Sequence, residues 1–213
     1  FIKKPITQIC YVVKEKKVYG IFAGDNEAWS AAADLSAQLN IEYVEKSYKQ
    51  VLSMAPVMYD DIWTAGKCMY KLEPIVSDGG SLIIYAPHIT EVSYTHGKYI
   101  KQVGYHTRDY FLKQWEKFKN FPGGILAHST HVKGIGTFVD GVETPRINVH
   151  LATGIDQHVC QQINLGYISP DEINIDDFRK KQDTLVVENA GEILFRLKNG
   201  CVPDIDKLYE RRK

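Results

Sequence analysis

Residues 79–86 constrain the fold more than any other stretch of this chain. Gly79-Gly80-Ser81 leads into Leu82-Ile83-Ile84-Tyr85-Ala86, a near-continuous apolar run. Successive side chains of a strand point to opposite faces, so a half-exposed strand alternates apolar and polar residues. A run without that alternation is covered on both faces, as in the parallel sheet of an α/β protein. The preceding sequence supplies one cover. Asp60 and Asp61 offer an N-cap, and Ile62, Ala65, Gly66, Met69 and Leu72 recur at spacings of three and four. That spacing predicts an amphipathic helix over 60–73, ending before Pro74.

The same alternation of strand and helix extends along the chain. Residues 51–55, 147–152 and 184–187 read as further strands. Helices are expected over 97–103 and 108–118, near 158–163 and over 172–180, the last opened by Ser169-Pro170-Asp171-Glu172 with capping-box spacing and proline at the first helical position. Pro122-Gly123-Gly124 breaks the pattern. Ahead of this region, 5–13 and 18–23 read as a hairpin turning at Lys14-Glu15-Lys16-Lys17. A helix over 27–39, capped near Gly24-Asp25, and a short strand at 41–44 follow. The expectation is an α/β fold with a mostly parallel central sheet flanked by helices, preceded by a ββαβ block over 1–46.

Charge and cysteine usage narrow the classes of function. Twenty-six basic residues balance 26 acidic ones among 213, with no like-charge run of the kind that binds nucleic acid or a membrane surface. Arg211-Arg212-Lys213 reads as a solvated tail. Cys10, Cys68, Cys160 and Cys201 form no Cys-x-x-Cys pair, and the expectation is four reduced thiols in a cytoplasmic protein. No apolar run approaches a membrane span of about 20 residues. The chain opens on Phe1 in strand-like sequence, which suggests a piece of a longer protein.

On the predicted helix 60–73, Lys67 lies off the apolar stripe. Trp63 and Thr64 precede it by four and three positions, and Tyr70 and Lys71 follow it by three and four, so the five can share a face. An indole, a hydroxyl, a phenol and two ammonium groups suit a carboxylate with neighbouring hydroxyls. They equally suit an ordinary solvent-facing side.

This segment resembles the carboxy-terminal domain of the nickel-dependent lactate racemase family. Trp63-Thr64-Ala65-Gly66-Lys67 matches the family's helix pattern at Ala65 and Lys67 and departs from its tyrosine and glutamine at Trp63 and Thr64. Phe22-Ala23-Gly24-Asp25, Leu151-Ala152-Thr153-Gly154-Ile155 and Ile163-Asn164-Leu165-Gly166-Tyr167 resemble further family segments, in order. The resemblance implies an isomerase, a racemase or epimerase of a 2-hydroxy acid, with Lys67 recognising the substrate. The departures at Trp63 and Thr64 suit a longer, more polar acid, such as a sugar acid. It also implies that the nickel-pincer nucleotide, its anchoring lysine and the catalytic histidines belong to an amino-terminal domain absent from this chain. That domain would be its partner, and the chain alone would be inactive. The alternative is a non-enzymatic α/β binding or interaction domain that kept the fold.

Other residues divide between site and scaffold. His128-Ser129-Thr130-His131 has the closest spacing among the seven histidines, but no third ligand stands nearby, so structural roles are favoured over metal. His88 follows the 82–86 strand, and ligands of open α/β sheets bind beyond strand carboxyl ends. It is therefore a substrate-binding candidate, with Thr90 and His96 downstream. Trp115 shares helical spacing with Phe111 and Phe118, which favours the core, while the resemblance places a tryptophan at the cleft in this region.

Overall fold

The computed structural model describes residues 4–200. Phe1, Cys201 and the basic end at 211–213 lie outside the described residues. The chain divides into two compact units, Phe1–Tyr43 and Val44–Lys213.

In the first unit, β1 (Gln8–Lys14) and β2 (Lys17–Gly24) form an antiparallel hairpin, followed by α1 (Asn26–Asn40) and by β3 (Ile41–Val44), which leads out of the unit. The connection is Glu15-Lys16, with φ of 50° and 64°, the left-handed pair that matches strand twist in a two-residue hairpin. Asp25 caps α1 by accepting the Glu27 N–H at 3.0 Å. Val12 and Ala32 are buried. Gly20 admits this close packing, because a Cβ there would lie 2.8 Å from Leu35 Cδ2. Ile9, Tyr11, Val18 and Ile21 are exposed.

The second unit is built on five parallel strands in the order β10-β4-β5-β8-β9. In chain order, β4 (Tyr48–Met54) leads through α2 (Ile62–Ala65) and α3 (Lys67–Tyr70) to β5 (Val76–Ala86). Next come α4 (Gly97–Val103), α5 (Arg108–Lys113), α6 (Trp115–Phe118), α7 (Gly123–Lys133) and the hairpin of β6 (Gly136–Val139) and β7 (Val142–Pro145). Then β8 (Asn148–Thr153), α8 (Gln157–Gln162), β9 (Gly166–Tyr167), α9 (Ile175–Lys180), β10 (Thr184–Val187) and β11 (Leu194–Leu197) complete the unit. The strands advance outward from β4 to β9, and β10 then returns to the other side of β4.

The 82–86 strand is covered on both faces, as its lack of alternation requires. Leu82, Ile84 and Ala86 join the large core with Ile62, Met69, Val132 and Leu151. Ile83 joins Leu52, Ala152 and Phe178 of α9 in a second cluster on the opposite face. No helix among the described residues is long and apolar enough to cross a membrane.

Three helices differ from expectation. The helix over 60–73 is interrupted at Gly66, between α2 and α3, where a Cβ would lie 3.0 Å from Val132 and 3.1 Å from His128. That glycine lets α7 pack closely against the α2–α3 pair. The helix over 108–118 breaks at Gln114 (φ −119°, ψ 31°). Phe111 and Phe118 meet edge to face in the core, with ring centroids 4.9 Å apart, while Trp115 stays 48% exposed. The capping box at 169–172 is not formed. Ser169 makes no capping bond, Pro170–Glu172 is a single 3₁₀ turn, and α9 begins after Asn174, whose side chain accepts the Asp177 N–H at 3.2 Å. The extended Ile173 lets the chain lay Ile173 and Ile175 on the second cluster, and that burial overrides the local cap. Pro122-Gly123-Gly124 opens α7 rather than only breaking the pattern.

Candidate functional site

Loops at the carboxyl ends of parallel strands are where ligands bind in open α/β sheets, above all where the strand order reverses. Here that place lies beyond β4 and β10. The loop after β4 carries Tyr59, and the loop after β10 carries Ala190, Gly191 and Glu192. The Tyr59 ring is buried and its hydroxyl donates to the Glu192 carboxylate. Burial first, then that carboxylate, pushes the phenol pKa well above its ordinary value. His88 reaches the site from the end of β5, with Nε2 3.0 Å from the Tyr59 carbonyl oxygen.

Helices α2 and α3 start directly from this loop. Asp61 holds the start of α2, accepting the Thr64 N–H at 3.0 Å and the Tyr94 N–H at 3.3 Å. Ser53 of β4 donates to the Cys68 carbonyl at 2.7 Å, and Cys68 Sγ lies 3.1 Å from the Ala190 carbonyl oxygen. These contacts tie α3 to the ends of β4 and β10. Burial pushes the Cys68 thiol up to about 12, so it is a packing group, not a nucleophile.

Lys67 is half-buried, with Nζ 4.5 Å from the centroid of the Tyr59 ring, a cation–π distance. It makes no ion pair among the described residues. Lys71, one turn on, has its pKa lowered chiefly by burial, against the opposing pull of Glu192. Thr64 is half-buried one turn before Lys67. Trp63 faces α7 and the start of α4 instead, with the His128 ring at 4.0 Å and the His96 ring at 4.2 Å between centroids, tilted at 33° and 46°. His128 lies 3.4 Å from the Tyr105 hydroxyl. Burial, aided by His131 and His96 and opposed by Asp61, lowers its pKa to about 4. It is therefore a neutral ring at neutral pH.

The structure thus brings Lys67 and His88 to Tyr59, with Thr64 one turn before Lys67 on α2 and Trp63 packed on α7. Trp115 is not part of this group. It lines a shallow apolar groove of about 230 Å³ with Phe111, Leu126 and Ala127, on a different flank of α7 from His128. No periodicity singles out Tyr59 or Glu192. The available signal was position alone, since both follow strands that end at the same sheet edge. Among the described residues no group of three or more histidine, cysteine or carboxylate side chains is arranged to hold a metal.

Superposition on solved structures shows that the fold is similar to that of a lactate racemase. The lactate racemase apoprotein from Thermoanaerobacterium thermosaccharolyticum superposes with a TM-score of 0.59 at 14% identity, covering 89% of this chain and 46% of the racemase. At that identity the likeness is one of fold alone. A protein of Thermotoga maritima, known from a structural-genomics crystal structure, superposes with a TM-score of 0.78 at 34% identity, covering 89% of this chain and 48% of that one. This chain therefore spans about half the length of either. No protein-family model and no curated protein matches it.

Proposed function

We propose that this chain forms the substrate-facing half of a 2-hydroxyacid racemase or epimerase, with Lys67 as the cation that receives the substrate carboxylate. The observation that carries the proposal is the placement of Lys67. Its ammonium stands at the carboxyl edge of the sheet over the Tyr59 ring, and no carboxylate among the described residues pairs with it. A charge-assisted hydrogen bond to a carboxylate strengthens as the cleft sheds water. Thr64 and His88, at the same edge, supply polar contacts for hydroxyls of a longer acid, such as a sugar acid. Trp63 closes the flank as an apolar wall. The likeness in fold to a lactate racemase supports this reading.

In the family that the sequence resembles, a nickel-pincer nucleotide supplies the hydride acceptor. The donor set of the described residues does not fit a metal centre, so no step of this chain's chemistry runs through it. The proposed role is binding and orientation, with the cofactor and proton-transfer groups on a second domain.

The test is a chiral assay of 2-hydroxy acids with the protein that carries this segment. The expected result is interconversion of the two configurations for one of them. Lys67→Ala should lower kcat/KM by about 10- to 200-fold, the equivalent of losing a charge-assisted hydrogen bond of about 1.5–3 kcal/mol. Full turnover in Lys67→Ala would remove Lys67 from the site, and an inert protein across the series would defeat the enzyme reading.

A further inference from the structure

The opposite, amino-terminal edge of the sheet holds a second concavity that the proposed reaction does not use. It has a volume of about 320 Å³ and opens beside the starts of β8 and β9. That size lies at the lower end of the range for small-molecule sites, about 300–1,000 Å³. Its apolar wall is Pro145, Ile147, Val149 and Leu165, and its polar groups are Lys133, Asn148, His150, Gln161 and Asn164.

The polar groups are unevenly partnered. Lys133, at the end of α7, donates to the Asn164 carbonyl at 2.6 Å. An ammonium group carries three donors, so two remain. The acid that acts on it is Glu143, whose oxygens are already engaged: Oε2 lies 2.8 Å from His106 Nδ1 and 3.1 Å from Asn164 Nδ2, and Oε1 accepts the Thr107 N–H at 2.6 Å. His150 Nδ1 is buried without a hydrogen-bond partner among the described residues. Asn148 Nδ2 reaches only the Gly79 and Gly80 carbonyls, each at 3.4 Å. Among the described residues no carboxylate lines the cavity.

Gly166 fixes the position of the imidazole. A Cβ at that position would lie 2.3 Å from His150 Cδ2, so the ring rests directly on the glycine backbone. Burial lowers the pKa of Lys133, and burial with the neighbouring Lys133 lowers that of His150. Both shifts come first from desolvation, offset at Lys133 only in part by Glu143, and a bound anion would act against both.

We propose that this cavity binds a small organic acid, its carboxylate held by Lys133 and Asn148 beside His150 and its hydrocarbon part against the half-buried Pro145, beneath which Ile147, Val149 and Leu165 are packed. The convergence of amide and ammonium donors over an apolar wall selects a carboxylate with an apolar body over a bare inorganic anion. The site is independent of Lys67 and of the racemase reading, because it lies at the other end of the same strands.

The probe is isobutyrate, titrated into the ¹⁵N-labelled protein while the Gly166 and Lys133 amides and the His150 ring are followed by NMR. Isobutyramide, the uncharged isostere, and inorganic phosphate serve as comparisons. Saturable shifts with isobutyrate are expected, with binding at least about tenfold weaker for isobutyramide, a ratio set by loss of a charge-assisted hydrogen bond. Lys133→Met, which keeps most of the stem, should weaken isobutyrate by a similar factor. Asn148→Ala, on the rim, should weaken it less. Equal binding of acid and amide, absence of saturation, or unchanged affinity in a folded Lys133→Met would overturn the proposal. Phosphate binding as tightly as isobutyrate would overturn the organic-acid assignment. If Lys133→Met does not fold, the acid–amide comparison on the unaltered protein still decides.

Discussion

The two sites at the ends of the central sheet are built on the same strands and differ in how far their polar groups are paired, although Arg146 at the amino edge is itself held by Val76, Asp78 and Glu73. At the carboxyl edge most polar groups are paired within the protein: Tyr59 with Glu192, His88 with the Tyr59 carbonyl, Asp61 with two backbone N–H groups. Lys67 stands over an aromatic face. At the amino edge Lys133 and Asn148 are partly engaged, and His150 Nδ1 has no partner among the described residues. A pre-paired edge leaves few groups to a ligand, here chiefly the ammonium of Lys67. An under-paired edge carries a standing desolvation cost that a ligand can offset.

The largest test of that contrast removes what the edges share. Ile84 is fully buried in β5, which runs from one edge to the other. Ile84→Ala should destabilise the second unit by about 2–5 kcal/mol, transfer and cavity terms together. Urea unfolding would measure this, and NMR shifts at both Tyr59 and His150 should move. Movement at one edge alone would show that the edges are mechanically separate.

A smaller effect belongs to the carboxyl side and depends on pH. His128 titrates near 4 when folded against an ordinary 6.5. The unfolded chain therefore takes up this proton first, and stability from the neutral ring is complete above about pH 6.5 and lost as pH falls toward 4. The loss should be about 1–3 kcal/mol, reduced in His128→Phe. Equal pH slopes for the two proteins in urea unfolding between pH 7 and 5 would show that the ring next to Trp63 is not held neutral by burial.

Smaller again is the Tyr59 hydroxyl. Tyr59→Phe removes the bond to Glu192 and should cost about 1 kcal/mol in thermal or urea unfolding. At the amino edge, Asn148→Ala should change stability by less than about 0.5 kcal/mol, because its contacts are long. A larger loss there would mean that the amino edge is paired as fully as the carboxyl edge, and the contrast would fail.

Much of the scaffold was legible in the chain because it is written in period and run length. The apolar stripe at 62, 65, 66, 69 and 72 is buried throughout, the 82–86 run is a doubly covered strand, and α4 falls on the expected residues. Local signals failed where tertiary packing outweighed them. The capping box at 169–172 lost to burial of Ile173 and Ile175, and the expected 108–118 helix broke so that two phenylalanines could enter the core. Lys67, Thr64 and His88 were visible as candidates because they sit on, or just after, periodic elements. Tyr59 and Glu192 were not, because their pairing joins loops far apart in sequence, and no local pattern encodes such a meeting. Trp115 carries core-like spacing, yet the break at Gln114 turns it outward.

The return of β10 to the side of β4 sets an order of assembly during synthesis. A ribosome delivers β4, β5, β8 and β9 first, and each can dock beside its predecessor as it emerges. Until residues up to 192 follow, the Tyr59 phenol lacks its acceptor, Cys68 lacks the Ala190 carbonyl, and one side of β4 is an open hydrogen-bonding edge. Open edges recruit foreign strands, so the nascent chain is most exposed to mispairing just before its final sheet strand arrives. The segment that closes the site is thus also the one that makes β4 an interior strand, leaving the four-residue β10 and the two-residue β9 at the edges of the sheet.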